Sequence, residues 1–145
     1  ERKNRFQANI PVLLQSLKPF GAVRQSERGI VLTLPETYWT GTRVSSFTTA
    51  SEPKLSNLAN LLAGNPDFKF VVESHTDDKG IPEDLQTLTQ ERAQAVADKL
   101  MSVGVDQNKI EVKGLGASMP VAPNTTNINR GKNRRIEVIL VPNIN

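Results

Sequence analysis

Two aspartates and the only histidine of the chain stand together in the stretch VVESHTDDKG. An apolar run ends there in His75, Thr76, Asp77 and Asp78, just before a lysine and a glycine. Arg92 follows fifteen residues after Asp77. A carboxylate can bind an ammonium group and a guanidinium can bind a carboxylate, so these residues predict either a ligand site or a solvated turn.

The elements around this stretch decide where its side chains lie. FKFVVES alternates Phe68, Phe70 and Val72 with other residues and is rich in β-formers, which predicts a strand. This strand ends at residues 75–78, which we call the HTDD tip. Thr87 or Thr89 is the predicted N-cap of the next helix. The apolar stripe of that helix ends at a glycine, and KIEVKG predicts a short strand after it.

A strand, a helix and a strand in this order form a βαβ unit with a right-handed crossover. Asp77 is predicted just past the first strand and Arg92 in the first turn of the helix, so both lie at one end of the sheet, where ligands of open α/β sheets bind. The helix N-terminus and Arg92 suit a carboxylate, and Asp77 suits an ammonium. The pair would then bind a zwitterion. An ordinary loop salt bridge is the alternative, and spacing alone favours it.

The rest of the chain predicts an α+β two-layer sandwich, with one mixed and mostly four-stranded sheet covered by helices on one face. Pro11 argues against a single long first helix and is the predicted entry to a shorter one. Ser51 is the predicted cap of a Leu-rich helix that ends at Gly64. The remaining predicted elements are a hairpin in AVRQSERGIVLTLP, loops at residues 36–50 and 114–133, and a final strand, RRIEVILVP, inside the sheet.

Composition excludes several classes of site. The chain has 145 residues and no cysteine, which excludes disulfides, zinc–thiolate sites and thiol nucleophiles. With 18 Lys+Arg against 15 Asp+Glu, the net charge of +3 does not require a polyanionic partner. The RGKNRR segment is basic, but aromatic residues make up only 5% of the chain, which argues against nucleic acid.

No catalysis and no cofactor are predicted. Ser74, His75 and Asp77 do not make a hydrolytic triad, because adjacent strand residues point to opposite faces. No metal site is predicted either, because His75 would need ligands that converge from elsewhere in the chain. A packed or hydrogen-bonded histidine is the preferred interpretation.

Four segments together resemble a known family. VVESHTDDKG, LTQERAQAVADKL, GVDQNKIEVKGLGASMPVAPNTT and NRGKNRRIEVIL are similar, in this order, to the C-terminal domain of the outer-membrane protein A family, which peptidoglycan-associated lipoproteins and flagellar stator proteins share. The resemblance runs from about Gly29 to Leu140. It implies a domain at residues 29–145, preceded at residues 1–28 by a helix and a first short strand.

The resemblance also implies a function. In that family the domain binds the stem peptide of peptidoglycan non-covalently, and an Asp and an Arg hold the zwitterionic end of meso-diaminopimelate. Those roles fall on Asp77 and Arg92 here. The implied binding residues also include the neighbours His75, Thr76 and Asp78 and, in the NRR motif at the rim of the groove, Asn133 and Arg134.

The chain departs from the family pattern at two places. Leu85 stands at the ligand-side position where family members commonly carry Asn, eight residues after the binding Asp. The loop containing YWTGTRVSS is longer than the usual connection, and it either covers the site or binds something else. An alternative function therefore stays open: an interaction or dimerisation module with weakened or absent peptidoglycan binding.

The expected setting follows from the implied ligand. We expect a periplasmic domain of a Gram-negative cell envelope, whose partner is the peptidoglycan stem peptide. Membrane association, most simply with the outer membrane, is expected only through a region upstream of Glu1. A homodimer remains open.

Overall fold

A computed structural model describes residues 2–144. Within these residues the fold consists of four helices and five strands, with short 3₁₀ turns between some of them. In chain order the elements are α1 (Arg2–Leu17), β1 (Ala22–Ser26), β2 (Gly29–Leu34), α2 (Ser51–Ala63), β3 (Phe68–His75), α3 (Pro82–Ser102), β4 (Ile110–Gly114), α4 (Asn127–Asn133) and β5 (Arg135–Pro142).

One mixed sheet, in the order β1-β2-β5-β3-β4, carries the fold. β3 and β4 are parallel and α3 connects them, so the predicted βαβ unit is confirmed. β5 runs antiparallel between β2 and β3, which confirms its predicted interior position. The sheet has five strands where mostly four were predicted, because β1 pairs with residues 29–33 of β2 as an edge strand.

The core lies on one face of the sheet, as predicted. Alternate residues of β2, β3 and β5, such as Leu32, Val72 and Val138, are fully buried there against apolar residues of α1, α2 and α3. A fully buried side chain of this size contributes about 1.5–3 kcal/mol. The other face carries a smaller cluster of Val31, Val71 and Ile139 among charged side chains. The result is the predicted two-layer α+β sandwich.

α3 begins earlier than the sequence predicted. Pro82 is its first residue and Glu83 and Asp84 lie in its first turn, which suits the positive end of the helix dipole. Thr87 and Thr89 are inside the helix, and their hydroxyls donate back to the carbonyls of residues four positions earlier. The predicted cap at either threonine is therefore wrong.

Three smaller predictions also need correction. Pro11 lies inside one continuous α1 instead of starting a shorter helix. Ser51 is the first residue of α2, and its backbone N–H donates to the hydroxyl of Thr48 at 3.1 Å, so Ser51 is not the cap. The predicted loop at residues 114–133 contains α4, which Thr126 caps by accepting from the N–H of Asn129.

The N-terminal helix shares the core of the rest of the chain. Phe6, Leu13 and Leu17 are buried in the same apolar cluster as the sheet. The boundary between residues 1–28 and 29–145 stays a prediction.

Candidate functional site

Asp77 lies two residues past the end of β3, and only 1% of its surface is exposed. One carboxylate oxygen accepts a hydrogen bond from Nη1 of Arg134 at 2.5 Å. The other accepts from the backbone N–H of Lys79 at 2.9 Å and from the guanidinium of Arg43. This carboxylate is therefore bound by three parts of the chain. They are the backbone of its own turn, Arg43 in the loop before α2, and Arg134 just before β5.

Two opposed effects set the pKa of Asp77. Burial by itself would raise this pKa, because a buried carboxylate loses hydration. The hydrogen bonds from Lys79, Arg134 and Arg43 outweigh burial and hold the pKa below its ordinary value. Asp77 is therefore negatively charged at neutral pH and attracts cations.

Arg92 lies in the third turn of α3, because that helix starts at Pro82 and not near Thr87. Its side chain is buried, with 2% of the residue exposed. The guanidinium donates to the carbonyl oxygens of Gly41 at 2.6 Å and Val44 at 2.8 Å. It also lies 4.7 Å from the ring centroid of Trp39, a cation–π contact. Burial lowers the pKa of Arg92 to about 10, so it remains protonated at neutral pH.

Residues 40–46, which we call the strap, connect the two charged groups. The strap closes at its base, where the N–H of Thr40 donates to the carbonyl of Ser46 at 3.0 Å. Next to that base, Trp39 and Phe47 stack with ring centroids 4.4 Å apart. Arg43 reaches Asp77 from the strap, and strap carbonyls reach Arg92. The sequence left open whether this loop covers the site, and in the structure it does.

Arg134 connects the tip to a second carboxylate. Its Nε and Nη2 donate to the two oxygens of Glu36 at 2.5 and 3.0 Å, while its Nη1 donates to Asp77. Hydrogen bonding to Glu36, with a further contribution from Asp77, raises the pKa of Arg134. This guanidinium therefore stays charged and fixes the Asp77 side chain.

Asn133 supports a loop from inside the protein. None of its surface is exposed. Its Oδ1 accepts from the N–H groups of Val121 and Ala122 at 2.7 and 3.1 Å, and its Nδ2 donates to Ala122 O and Asn124 Oδ1 at 2.9 and 2.8 Å. The structure therefore gives Asn133 hydrogen bonds to the loop between β4 and α4.

The remaining predicted residues on the helix side lie around the tip. Thr76 is 2% exposed, and its hydroxyl accepts from Arg43 at 3.3 Å. Asp78 is exposed and lines an open pocket of about 330 Å³ together with Leu85. Leu85 is itself 4% exposed. This pocket also includes Gly116, whose carbonyl accepts from the N–H of Thr76, so it borders the site.

His75 does not join this group. Its side chain lies with Glu73 and Glu137, and the potential ligand atoms of the three are within 4.8 Å of one another. Both ring nitrogens are buried, and neither has a hydrogen-bond partner within the described chain. Burial, and then the charge of Arg135, lower the pKa of His75, so the ring is neutral at pH 7. The prediction that His75 is packed in the interior therefore agrees with its burial. A hydrogen-bonded ring was the other expectation, and within the described residues neither nitrogen has a hydrogen bond.

These three groups have the composition and the spacing of a metal-ligand set, but both carboxylates already have guanidinium partners. Arg28 binds both oxygens of Glu73 at 3.1 and 2.7 Å, and Arg135 donates to Glu137 at 2.9 Å. A cation would have to displace guanidinium groups that already neutralise both carboxylates. We keep the prediction that the protein holds no metal there.

Sequence reasoning missed three residues of the site: Glu36, Trp39 and Arg43. All three lie in residues 36–50, which were predicted to form a loop, and none of them was assigned a contact in the site. The one tryptophan of the chain and an arginine within a Ser/Thr-rich stretch were the available signals. Neither shows on its own which distant groups it contacts.

Comparisons with known proteins agree on one family. The model of the OmpA family matches residues 43–134, a range that contains Arg43, Asp77, Arg92 and Arg134. The chain is 31% identical over 121 residues to the probable lipoprotein YiaD of Escherichia coli, covering 83% of this chain and 55% of YiaD. It is 36% identical over 86 residues to the peptidoglycan-binding protein ArfA of Mycobacterium tuberculosis, covering 59% of this chain and 26% of ArfA.

The fold is also similar to solved structures. The cell wall anchor of the T6SS from Pseudomonas aeruginosa superposes with a TM-score of 0.77 at 25% identity, covering 90% of this chain and 94% of that one. The chain spans about half or less of the length of the two curated relatives. Among the described residues, no helix is both long enough and apolar enough to cross a membrane.

Proposed function

This chain belongs to the OmpA family, and from that premise we propose that it binds peptidoglycan non-covalently and anchors a cell-envelope protein to the wall. The proposed ligand group is the diaminopimelate of the stem peptide. Two of the similar proteins support this proposal, since one is named as peptidoglycan-binding and the other as a cell wall anchor.

One observation carries the assignment of the site. Within a single four-residue segment of the strap, the cationic Arg43 contacts Asp77, and two carbonyl oxygens contact Arg92. Asp77 therefore provides a place for a cation, and Arg92 provides a neighbouring place for a hydrogen-bond acceptor. A zwitterion, with an ammonium and a carboxylate on one carbon, has this combination of charges.

The chemistry distinguishes two types of wall. Diaminopimelate ends in an ammonium and a carboxylate, whereas lysine at the same position ends in an ammonium alone. The domain should therefore bind diaminopimelate peptides in preference to lysine peptides. Binding needs no bond to be made or broken, and we propose no enzymatic activity.

Co-sedimentation with purified wall sacculi tests the proposed function. The domain is expected to pellet with diaminopimelate-containing sacculi and to stay mostly in the supernatant with lysine-containing sacculi. Soluble diaminopimelate stem peptide should release the pelleted protein. If the domain stays in solution with both materials, the proposed function is wrong.

The second candidate is an interaction or dimerisation module. Asp77 and Arg92 both have partners inside the protein, and the strap covers them, which favours this alternative. It predicts no pelleting with sacculi and a sedimentation coefficient that rises with protein concentration. Analytical ultracentrifugation of the purified domain separates the two candidates.

We place the protein in the periplasm, with any membrane tether outside residues 2–144. The lipoprotein relative supports a cell-envelope setting. Fractionation of the full-length protein tests this placement, and recovery in the cytoplasm would argue against it.

Replacement of Leu85 by asparagine is expected to tighten peptide binding. Leu85 lines the pocket beside the HTDD tip, and an amide there could add one neutral hydrogen bond, worth about 0.5–1.5 kcal/mol. Because Leu85 is buried, the variant should also melt at a lower temperature. Calorimetric titration with a diaminopimelate stem peptide measures the change in affinity.

Leu85→Ala is the matched control, since it removes the same apolar side chain without adding an amide. It should melt lower and show no gain in affinity. If Leu85→Asn binds more weakly than Leu85→Ala, the leucine side chain does not stand in the place of a ligand-binding amide.

A further inference from the structure

Arg43 makes the contacts that a ligand ammonium would make. Its guanidinium donates to the carboxylate of Asp77, to the carbonyl oxygen of Lys79 at 2.6 Å and to the hydroxyl of Thr76 at 3.3 Å. Nη2 makes the first two of these contacts and the neighbouring Nη1 makes the third. An ammonium has three N–H donors, so it suits a place where oxygens are grouped in this way. In this structure a side chain of the protein itself occupies that place.

The backbone carbonyls beside Arg43 make the contacts with Arg92 that a ligand carboxylate would make. Arg92 donates to the carbonyl oxygens of Gly41 and Val44, two residues before and one residue after Arg43. Neutral carbonyls are weaker acceptors for a guanidinium than a carboxylate is. A ligand carboxylate would therefore be a better partner for Arg92 than the strap is.

From these contacts we propose that the strap is a built-in competitor for the binding site. Arg43 occupies the cation position and the carbonyls of residues 41 and 44 occupy the anion position until a stem peptide displaces them. This inference rests on the proposed function. It adds that the domain exists in a closed state, which the structure describes, and an open state that binds.

The contacts of the strap allow it to open at modest cost. The Arg43 side chain is 36% exposed while that of Asp77 is 2% exposed, so water can replace the arginine at its outer side. Asp77 keeps its bond to Arg134 when Arg43 leaves, so no buried carboxylate is left unpaired. The stacked rings of Trp39 and Phe47 lie outside the strap and can hold its two ends in place.

The proposal predicts a gain of affinity on removing a charged residue. Arg43→Ala should bind a soluble diaminopimelate stem peptide about tenfold more tightly than the wild type, as expected if the open state rises from about a tenth of the molecules to nearly all of them. Arg43→Lys keeps a cation near Asp77 and should gain less. Titration calorimetry on the folded variants gives these affinities.

Arg24→Ala is the matched charge control. Arg24 lies on the edge strand β1, is 58% exposed and pairs with Glu137 at 3.5 Å, outside the proposed site. The change removes the same charge and should leave peptide affinity close to that of the wild type. A gain as large as that of Arg43→Ala would mean that net charge, and not the strap, controls binding.

A second measurement needs no ligand. Amide hydrogen exchange of the strap, residues 40–46, should be faster in Arg43→Ala than in the wild type, because the strap loses its contacts with the HTDD tip.

A third measurement adds the ligand to the wild type. Diaminopimelate stem peptide should speed the exchange of the strap and change the fluorescence of Trp39, the single tryptophan of the chain. Lysine at similar concentration should have little effect on either signal.

The outcomes separate the two proposals. If wild type and Arg43→Ala bind equally well, or if the variant binds more weakly, the competitor role is wrong and the proposed function stands. If neither protein binds peptide or sacculi, the proposed function is wrong and the competitor role is wrong with it. Unchanged exchange of the strap in folded Arg43→Ala also overturns the competitor role.

Discussion

Asp77→Asn and Arg92→Ala are each expected to weaken binding of a diaminopimelate stem peptide by about 30-fold or more. Each change removes the proposed protein partner of one ligand charge, and truncating one member of a desolvated charge pair costs roughly 2–5 kcal/mol. At about 1.4 kcal/mol for each factor of ten, this corresponds to the stated loss. Titration calorimetry with purified peptide measures it.

The strap affects how these variants should be compared. Asp77→Asn also weakens the hold on Arg43, and Arg92→Ala removes the partner of two strap carbonyls, so part of the loss would be offset by an easier opening. Each variant should therefore also be made in an Arg43→Ala background, where the cationic part of the competitor is absent. The loss of affinity is expected to be larger there.

Two controls make the result specific. A lysine-type peptide lacks the terminal carboxylate, so it should bind weakly and be almost unaffected by Arg92→Ala. Arg92→Lys keeps the charge but loses the planar two-donor geometry, and it should recover only part of the affinity. Because both residues are buried, thermal melts must show that each variant is folded. A folded variant that keeps wild-type affinity would refute the proposed two-residue site.

Asn133→Ala is expected to lower the free energy of unfolding by about 2–3 kcal/mol. The amide of Asn133 makes four hydrogen bonds to residues 121, 122 and 124, and its loss leaves those polar groups without their partner inside the protein. Denaturant unfolding followed by circular dichroism measures the change. Hydrogen exchange should be faster in the loop between β4 and α4.

Asn108→Ala is the matched control, because Asn108 is exposed in the turn before β4. Its effect should stay within about 0.5 kcal/mol. The sequence placed Asn133 among the ligand-binding residues, and the same variant tests this. If Asn133→Ala keeps its stability but loses affinity, Asn133 acts on the ligand and not on the loop.

Local patterns in the sequence were sufficient for most of the fold. Alternation in FKFVVES and RRIEVILVP predicted β3 and β5, and the Leu-rich stripe predicted α2. The β3–α3–β4 order predicted a parallel pair, which the structure has. The start of α3 was misplaced because two threonines were given more weight than Pro82 and the acidic residues after it. Helix α4 was missed because seven mostly polar residues show no apolar period.

The sequence by itself determined which residues to propose for zwitterion recognition: Asp77 at the end of β3 and Arg92 on α3. Residue type and spacing along single elements are local properties, so they can be read without a structure. Only the tertiary structure decided what these residues contact. Arg43 reaches Asp77 across 34 residues of sequence, and the Gly41 carbonyl accepts from Arg92 across 51. Contacts over such separations depend on how loops pack over the folded sheet, because the pattern within a single segment does not specify its distant partners.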